Sequence, residues 1–249
     1  MKKHIPILAL LIASSFANAD FVYNNFISPP DLQLNGNATI AGQDLRLTQA
    51  DISGQTSTVW HTNLQDFSYG LATSAIFNGN GTSDLGQWGP NSGADGVAFA
   101  FQSSSTIALG NGGGDNGIGG IANMVALSFR TFWNDIQLYQ TDSNGDIVGS
   151  VQTINYDFLD NQNYALSTTY SATTFDWNVF IDSTYITTFN MDASGIFANP
   201  VYAGLGSGTG GADNNNDILA WAAWAEPVPE PFTLAGIVLI PLILKRKKK

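Results

Sequence analysis

The sequence contains no cysteine. It has no disulfide and no thiol ligand, so a large packed interior must supply its stability. Cations are nearly as scarce. Of nine Lys and Arg residues, seven sit at the two ends, leaving Arg46 and Arg130 alone against 19 acids in residues 20–227, a formal charge of −17. Such a surface repels nucleic acid, and no basic footprint exists to bind it. It favours solubility outside the cell and is compatible with neutral sugars. Glutamate is confined to Glu226 and Glu230, both beside the C-terminal tail, and His61 is the one histidine outside the N-terminal segment. A glycosidase of the sandwich type needs two carboxylates across the scissile bond. A Ser-His-Asp arrangement would have only His61 to draw on. The chain is therefore read as a non-enzyme. It also lacks any long stretch of 3.6-residue periodicity away from its ends.

The ends are distinctive. Lys2 and Lys3, the apolar run Ile5–Ile12 and the small residues Ala17-Asn18-Ala19 predict a secretory signal peptide over residues 1–19, with Asp20 as the mature start. At the other end, Val228-Pro229-Glu230-Pro231 precedes an apolar run, Phe232–Leu244, and the basic cluster Lys245–Lys249. As a helix at ~1.5 Å per residue that run is about 20 Å long, short for a hydrocarbon core of ~30 Å. The basic cluster stays on the cytoplasmic side, which puts the domain outside. The Pro-Glu-Pro triplet, short transmembrane helix and basic end of residues 228–249 resemble a PEP-CTERM sorting tail. The resemblance implies exosortase processing at the inner membrane of a Gram-negative bacterium and delivery to the envelope, cell surface or extracellular matrix.

Between these signals, residues 20–227 are long enough for one sizeable core. They read as short strands separated by Gly, Asn, Ser and Asp clusters. Strands are predicted at Leu45–Leu47, Phe67–Phe77, Gly96–Phe101, Met124–Phe132, Ile136–Gln140, Val148–Asn155, Tyr164–Tyr170, Asp176–Asp182, Thr184–Asn190, Val201–Gly206 and Asp217–Trp224. Alternation is clear in Val97, Phe99, Phe101 and in Trp177, Val179, Ile181. Many short strands with regular turn signals predict a single β-sandwich. Residues 110–120 carry seven glycines in eleven positions. Asp142-Ser143-Asn144-Gly145-Asp146 has the start of a calcium loop but not its closing glutamate. Asn144-Gly145 between strands predicts a hairpin turn instead. Trp177 and Trp221 are expected in the core, while Trp88 and Trp133, at loops or strand ends, are candidates to stack on a sugar ring.

The most informative segment is Ala94-Asp95-Gly96-Val97-Ala98-Phe99-Ala100-Phe101. It plants an acceptor-only side chain at the rim of a sheet, where a polar ligand can reach it. This segment resembles the strand that opens the combining site of L-type, or legume-type, lectins. Other segments follow the same family order. They are Asn35-Gly36-Asn37-Ala38, Leu45-Arg46-Leu47-Thr48, the glycine loop ending in Gly117-Ile118-Gly119-Gly120, Ala126–Asn134, Tyr202–Gly211 and Ile218-Leu219-Ala220-Trp221. The match spans most of residues 32–225. It implies an all-β, concanavalin-like jelly-roll sandwich that binds glycans or exopolysaccharide, with homo-oligomers formed at sheet edges as a further implication.

Residue by residue, the resemblance implies that Asp95 accepts from sugar hydroxyls and that Asn134 donates to the sugar. Phe132 stands where the family has an aromatic beside the site, and Trp133 adjoins it. Gly113 or Gly114 supplies a backbone donor, and Ala212, Asp213 and Asn214 lie in the late loop that sets specificity. One departure is sharp. The family carries a glutamate and an aspartate at the start of its two-metal site, and those positions here are Ser128 and Arg130. No metal is therefore expected at that site and no cofactor overall, with calcium as the open alternative. Arg130, with five donors and a permanent charge, either pairs with Asp95 and holds the site in place of calcium, or simply points from its strand to solvent, where a salt bridge is worth ~0–1 kcal/mol. Asp95 itself is expected to be hydrogen-bonded or paired. The leading expectation is an exported lectin-like protein. The alternative is a structural matrix or biofilm protein that keeps the sandwich without sugar binding.

Overall fold

Alternation of large apolar and small residues builds two sheets that bury one face against each other. The computed structural model describes residues 20–80, 93–159 and 161–226. The expected signal peptide, the expected sorting tail and Trp88 lie outside these residues. Among the described residues, no helix is long and apolar enough to cross a membrane.

One sheet contains β1 (Phe21–Tyr23), β3 (Thr39–Ala41), β4 (Asp44–Thr48), β6 (Gly70–Asn80), β11 (Gln162–Ser171), β12 (Asp176–Ile181), β13 (Thr184–Asn190) and β15 (Asn215–Ala225). Its order is β13-β12-β11-β6-β15-β4-β3, with β1 added alongside β15. The other contains β2 (Leu32–Gly36), β5 (Thr56–His61), β7 (Val97–Gln102), β8 (Met124–Arg130), β9 (Asp135–Thr141), β10 (Ile147–Asn155) and β14 (Tyr202–Gly208), in the order β10-β9-β8-β7-β14-β5-β2. The pairings within both sheets are antiparallel. This is the all-β jelly-roll sandwich expected.

The main core lies between the sheets and includes Val97, Phe99 and Phe101 of β7 with Trp177, Val179 and Ile181 of β12. A second, smaller core covers the outer face of the seven-stranded sheet. There Ala98 and Ala100 meet Trp60, Ile118 and Ile121, so the glycine-rich loop is packed down on that face. Glycines on β14 make room for it. A Cβ on Gly204 would fall 2.1 Å from the Trp60 ring, and one on Gly206 would fall 2.4 Å from Ile118 Cγ2. The Asn144-Gly145 turn forms as expected. The Asp142 carboxylate accepts from the N–H groups of Asn144 (2.7 Å) and Asp146 (3.1 Å), and Gly145 takes φ +86°.

The structure corrects the strand reading at several points. β1, β2, β3 and β5 were not anticipated. β5 reads as polar, Thr56-Ser57-Thr58-Val59-Trp60-His61, yet five of its six residues are buried. Its hydroxyls make burial tolerable by donating to backbone carbonyls, Ser57 to Leu47 and Thr58 to Ala108 (2.6 Å). Phe67 is core but precedes its strand, because a turn closed by Gly70 N–H to Phe67 C=O comes first. β8 ends at Arg130, so Phe132 lies in the turn that follows.

Candidate functional site

The Ala94-Asp95-Gly96 segment enters β7 from the rim of the seven-stranded sheet. The Ala94–Asp95 peptide is cis. Gly96 has φ +126°, and a Cβ there would lie 2.0 Å from the Phe129 carbonyl, so no other residue fits. Asp95 N–H donates to Gly208 C=O at 2.8 Å. Beneath the segment stands Asn216, on β15 of the opposite sheet. Its Nδ2 lies 3.1 Å from the Ala94 carbonyl, 3.3 Å from the Gly96 carbonyl and 3.0 Å from Ser207 Oγ. Ser207 Oγ in turn donates to Gly96 C=O at 2.7 Å. Asn216 and Ser207 thus grip both carbonyls that flank Asp95. Sequence reading missed them, although a strand-end asparagine beside Asp217 was the available signal.

Asp95 is 4% exposed, and its Oδ2 is buried without a hydrogen-bond partner. The carboxyl is hydrogen-bonded, as expected, through the Gly210 N–H, but Oδ2 is left short of a donor. Glycines surround that oxygen. A Cβ on Gly210 would lie 3.6 Å from it, and one on Gly113 would lie 3.8 Å away. Burial pushes the carboxyl up to about 6, against the opposing pull of the Arg130 charge and the Gly210 N–H, with Asp115 adding to the rise.

Arg130 neither pairs with Asp95 nor points freely to solvent. It faces Asp135, its direct partner across β8 and β9. The guanidinium engages both carboxylate oxygens, with Nε donating to Oδ1 at 2.6 Å and Nη2 donating to Oδ2. Asp135 stands directly opposite Arg130 on one neighbouring strand, whereas Asp95 precedes β7, the neighbour on the other side of β8, and has no register partner there. Arg130 reaches Asp95 only through its field. The cation also lies 5.5 Å from the Trp133 ring centroid.

The turn after β8 presents the remaining candidates. Asn134 adopts φ +52°. Its Oδ1 accepts from Phe158 N–H at 2.9 Å, and its carbonyl accepts from Tyr156 N–H at 2.9 Å. Trp133 is 57% exposed and packs edge-on against half-buried Phe132, ring centroids 5.5 Å apart. Its indole Nε1 faces the glycine loop, since a Cβ on Gly114 would fall 2.9 Å away. Trp177 and Trp221 are core, as expected, and Trp60 joins them. Ala212, Asp213 and Asn214 are buried. Asp213 Oδ1 accepts from Asp51 N–H at 2.6 Å, and the Asn214 carbonyl accepts from Thr48 Oγ1 at 2.9 Å. In this loop it is Gly210 that borders Asp95.

The side chains present do not fit a divalent cation at the place the resemblance assigns to one. Ser128 Oγ receives a hydrogen bond from Asn116 Nδ2 at 2.7 Å, and Arg130 brings a positive charge. Among the described residues, no three His, Asp or Glu side chains gather to hold a metal.

No known protein-family profile matches the chain. The lectin alpha chain of Lablab purpureus is 24% identical over 248 residues, covering 89% of this chain and 87% of its own. Among solved structures, arcelin-5, a lectin-like defence protein of Phaseolus vulgaris, superposes with a TM-score of 0.67 at 19% identity, over 82% of this chain and 96% of its own. The Bauhinia forficata lectin in complex with GalNAc superposes at 0.66 and 19%, again over 82% and 96%. The sandwich therefore has the legume-lectin fold, and the similar proteins are lectins or lectin-like.

Proposed function

We propose that this is an exported, non-enzymatic carbohydrate-binding protein whose site works without a metal ion. One observation carries the reading: a buried carboxylate oxygen, Asp95 Oδ2, is held between glycines with no partner of its own. Such an acceptor is costly unless a ligand supplies the donor. Sugar hydroxyls supply it. Asn134 supports the same reading. Phe158 N–H occupies its Oδ1, so the side chain has its amide N–H groups to offer as donors. Gly113, the residue of the glycine loop that borders Asp95, supplies the backbone donor in this reading, and exposed Trp133 offers an apolar face for the sugar ring.

Single sites of this kind bind with Kd of ~0.1–10 mM. Useful affinity then comes from multivalency, by dense surface display or sheet-edge dimers. Delivery through the inner membrane, exosortase processing of residues 228–249, and an envelope or matrix location complete the proposal. They rest on the sequence of the two ends. A glycan array probed with the purified protein in EDTA, and again with calcium, tests the function. Metal-independent binding that Asp95→Ala abolishes is the expected result. A folded protein that captures no glycan would support the structural matrix role instead.

A further inference from the structure

We infer that the combining site continues along the outer face of the seven-stranded sheet into a second sugar subsite, so that the ligand is a neutral oligosaccharide of two or more units. This rests on the reading of Asp95 as the primary site. Beyond the Arg130–Asp135 pair, the same face opens into a cavity of about 400 Å³. That volume lies in the range of small-ligand pockets. Its floor is Ser128 and Gln137, which are direct cross-strand partners, with Tyr139 next along β9. One wall is the glycine loop at Gly114 and Asp115. The other is the β9–β10 hairpin at Asp146, with Val151 as an apolar patch.

Two features join this cavity to Asp95. Gly113 borders Asp95 Oδ2, while the next two residues, Gly114 and Asp115, line the cavity. Trp133 sits over Gly114 at the junction. The electrostatics agree with this adjacency. Asp115 raises the proton affinity of both Asp95 and Tyr139, and Arg130 lowers that of both, so each charge is felt in the two places. The chemistry of the walls also selects. Carboxylates of Asp115 and Asp146 line the opening together with the amide groups of Asn111 and Gln137, Asn111 Nδ2 donating to Asp115 Oδ2 at 3.4 Å. Those groups match alternating hydroxyl donors and acceptors. With Asp115 and Asp146 in the walls, the cavity repels uronic acids.

The test is calorimetric titration of the full-length protein with gluco-, manno- and galacto-oligosaccharides of one to four units, alongside oligogalacturonates. For the series that binds, Kd is expected to tighten roughly tenfold from one unit to three, about 1.4 kcal/mol. Gln137→Leu and Asp146→Ala should abolish that gain while leaving the one-unit Kd unchanged. Asp146 is exposed in a turn, so its variant remains informative if Gln137→Leu unfolds. Equal affinity for all lengths, or variants that keep the gain, would overturn the second subsite and leave the Asp95 site standing. Preferred binding of oligogalacturonates would also overturn it. Failure of every neutral series on the folded protein would overturn the Asp95 reading, and the subsite with it.

Discussion

Arg130 and Asp135 face each other across the last register of β8 and β9 and form a two-point ion pair at the position where the legume-lectin resemblance places metal ligands. The side chains are only 16% and 11% exposed. Removing either charge strands the other in a poorly solvated place.

Arg130→Ala is therefore expected to lower unfolding stability by about 3–5 kcal/mol. The double variant Arg130→Met with Asp135→Leu should cost less than either single truncation, because it strands no charge. Urea unfolding of the three proteins measures this. A cost for Arg130→Ala of less than about 1 kcal/mol would show that the pair behaves as an exposed surface bridge.

An ion pair in this position also predicts indifference to divalent cations. A metal bound only by the folded state would add about 2.7 kcal/mol at a hundredfold excess over its Kd. The expected melting temperature is the same in EDTA, calcium and manganese. A rise of several degrees with either ion would place an ion site elsewhere in the chain.

The sequence showed most of this fold where apolar periodicity is strong. Val97, Phe99 and Phe101 alternate visibly and all enter the main core. β5 was hidden because its Ser and Thr hydroxyls are satisfied by carbonyls 10 and 50 residues away, which no local pattern can show. The site divides the same way. Asp95 and Gly96 were legible because the strand that follows fixes their place at its rim. The partner of Arg130 was not, since cross-strand register decides it and the turn of residues 131–134 sets that register. The clamp from Asn216 is a contact between sheets across 120 residues or more of sequence.

Asp95 should make stability fall with rising pH. Its folded value of about 6 lies above the ordinary 3.8, so between those values the folded state holds more protons than the unfolded one. Below about pH 4 both states are protonated and the penalty vanishes. By pH 7 ionisation in the buried setting costs on the order of 3 kcal/mol. Asp95→Asn, which never ionises, is expected to melt above the unmodified protein at pH 7 and to converge with it near pH 4. A constant difference across that range would refute the assignment.

The same carboxyl links protons to sugar. A hydroxyl donating to Oδ2 favours the charged form and lowers its proton affinity. Binding near pH 6 should therefore release protons, and affinity should weaken as pH falls below that point. Titrations in buffers of different ionisation enthalpy read the release directly. Identical heats in all buffers would mean that Asp95 does not change its protonation on binding.

Asn216 is expected to act as a positioning residue for Asp95. Its amide offers two protons to three acceptors, two of them the carbonyls of Ala94 and Gly96. Asn216→Ala should cost about 1–3 kcal/mol by leaving a buried carbonyl short of a donor, and it should weaken glycan binding as well. Asn216→Asp should be worse, since a carboxylate cannot donate and would face two carbonyl oxygens. Ser207→Ala should be milder, because Asn216 still reaches Gly96. The decisive readout is the pH profile of binding. If Asn216 sets where Asp95 sits, its loss moves the midpoint away from about 6 as the carboxyl finds a different environment. If Asn216 only braces the two sheets, stability falls while the midpoint and the affinity of the remaining folded protein stay where they were.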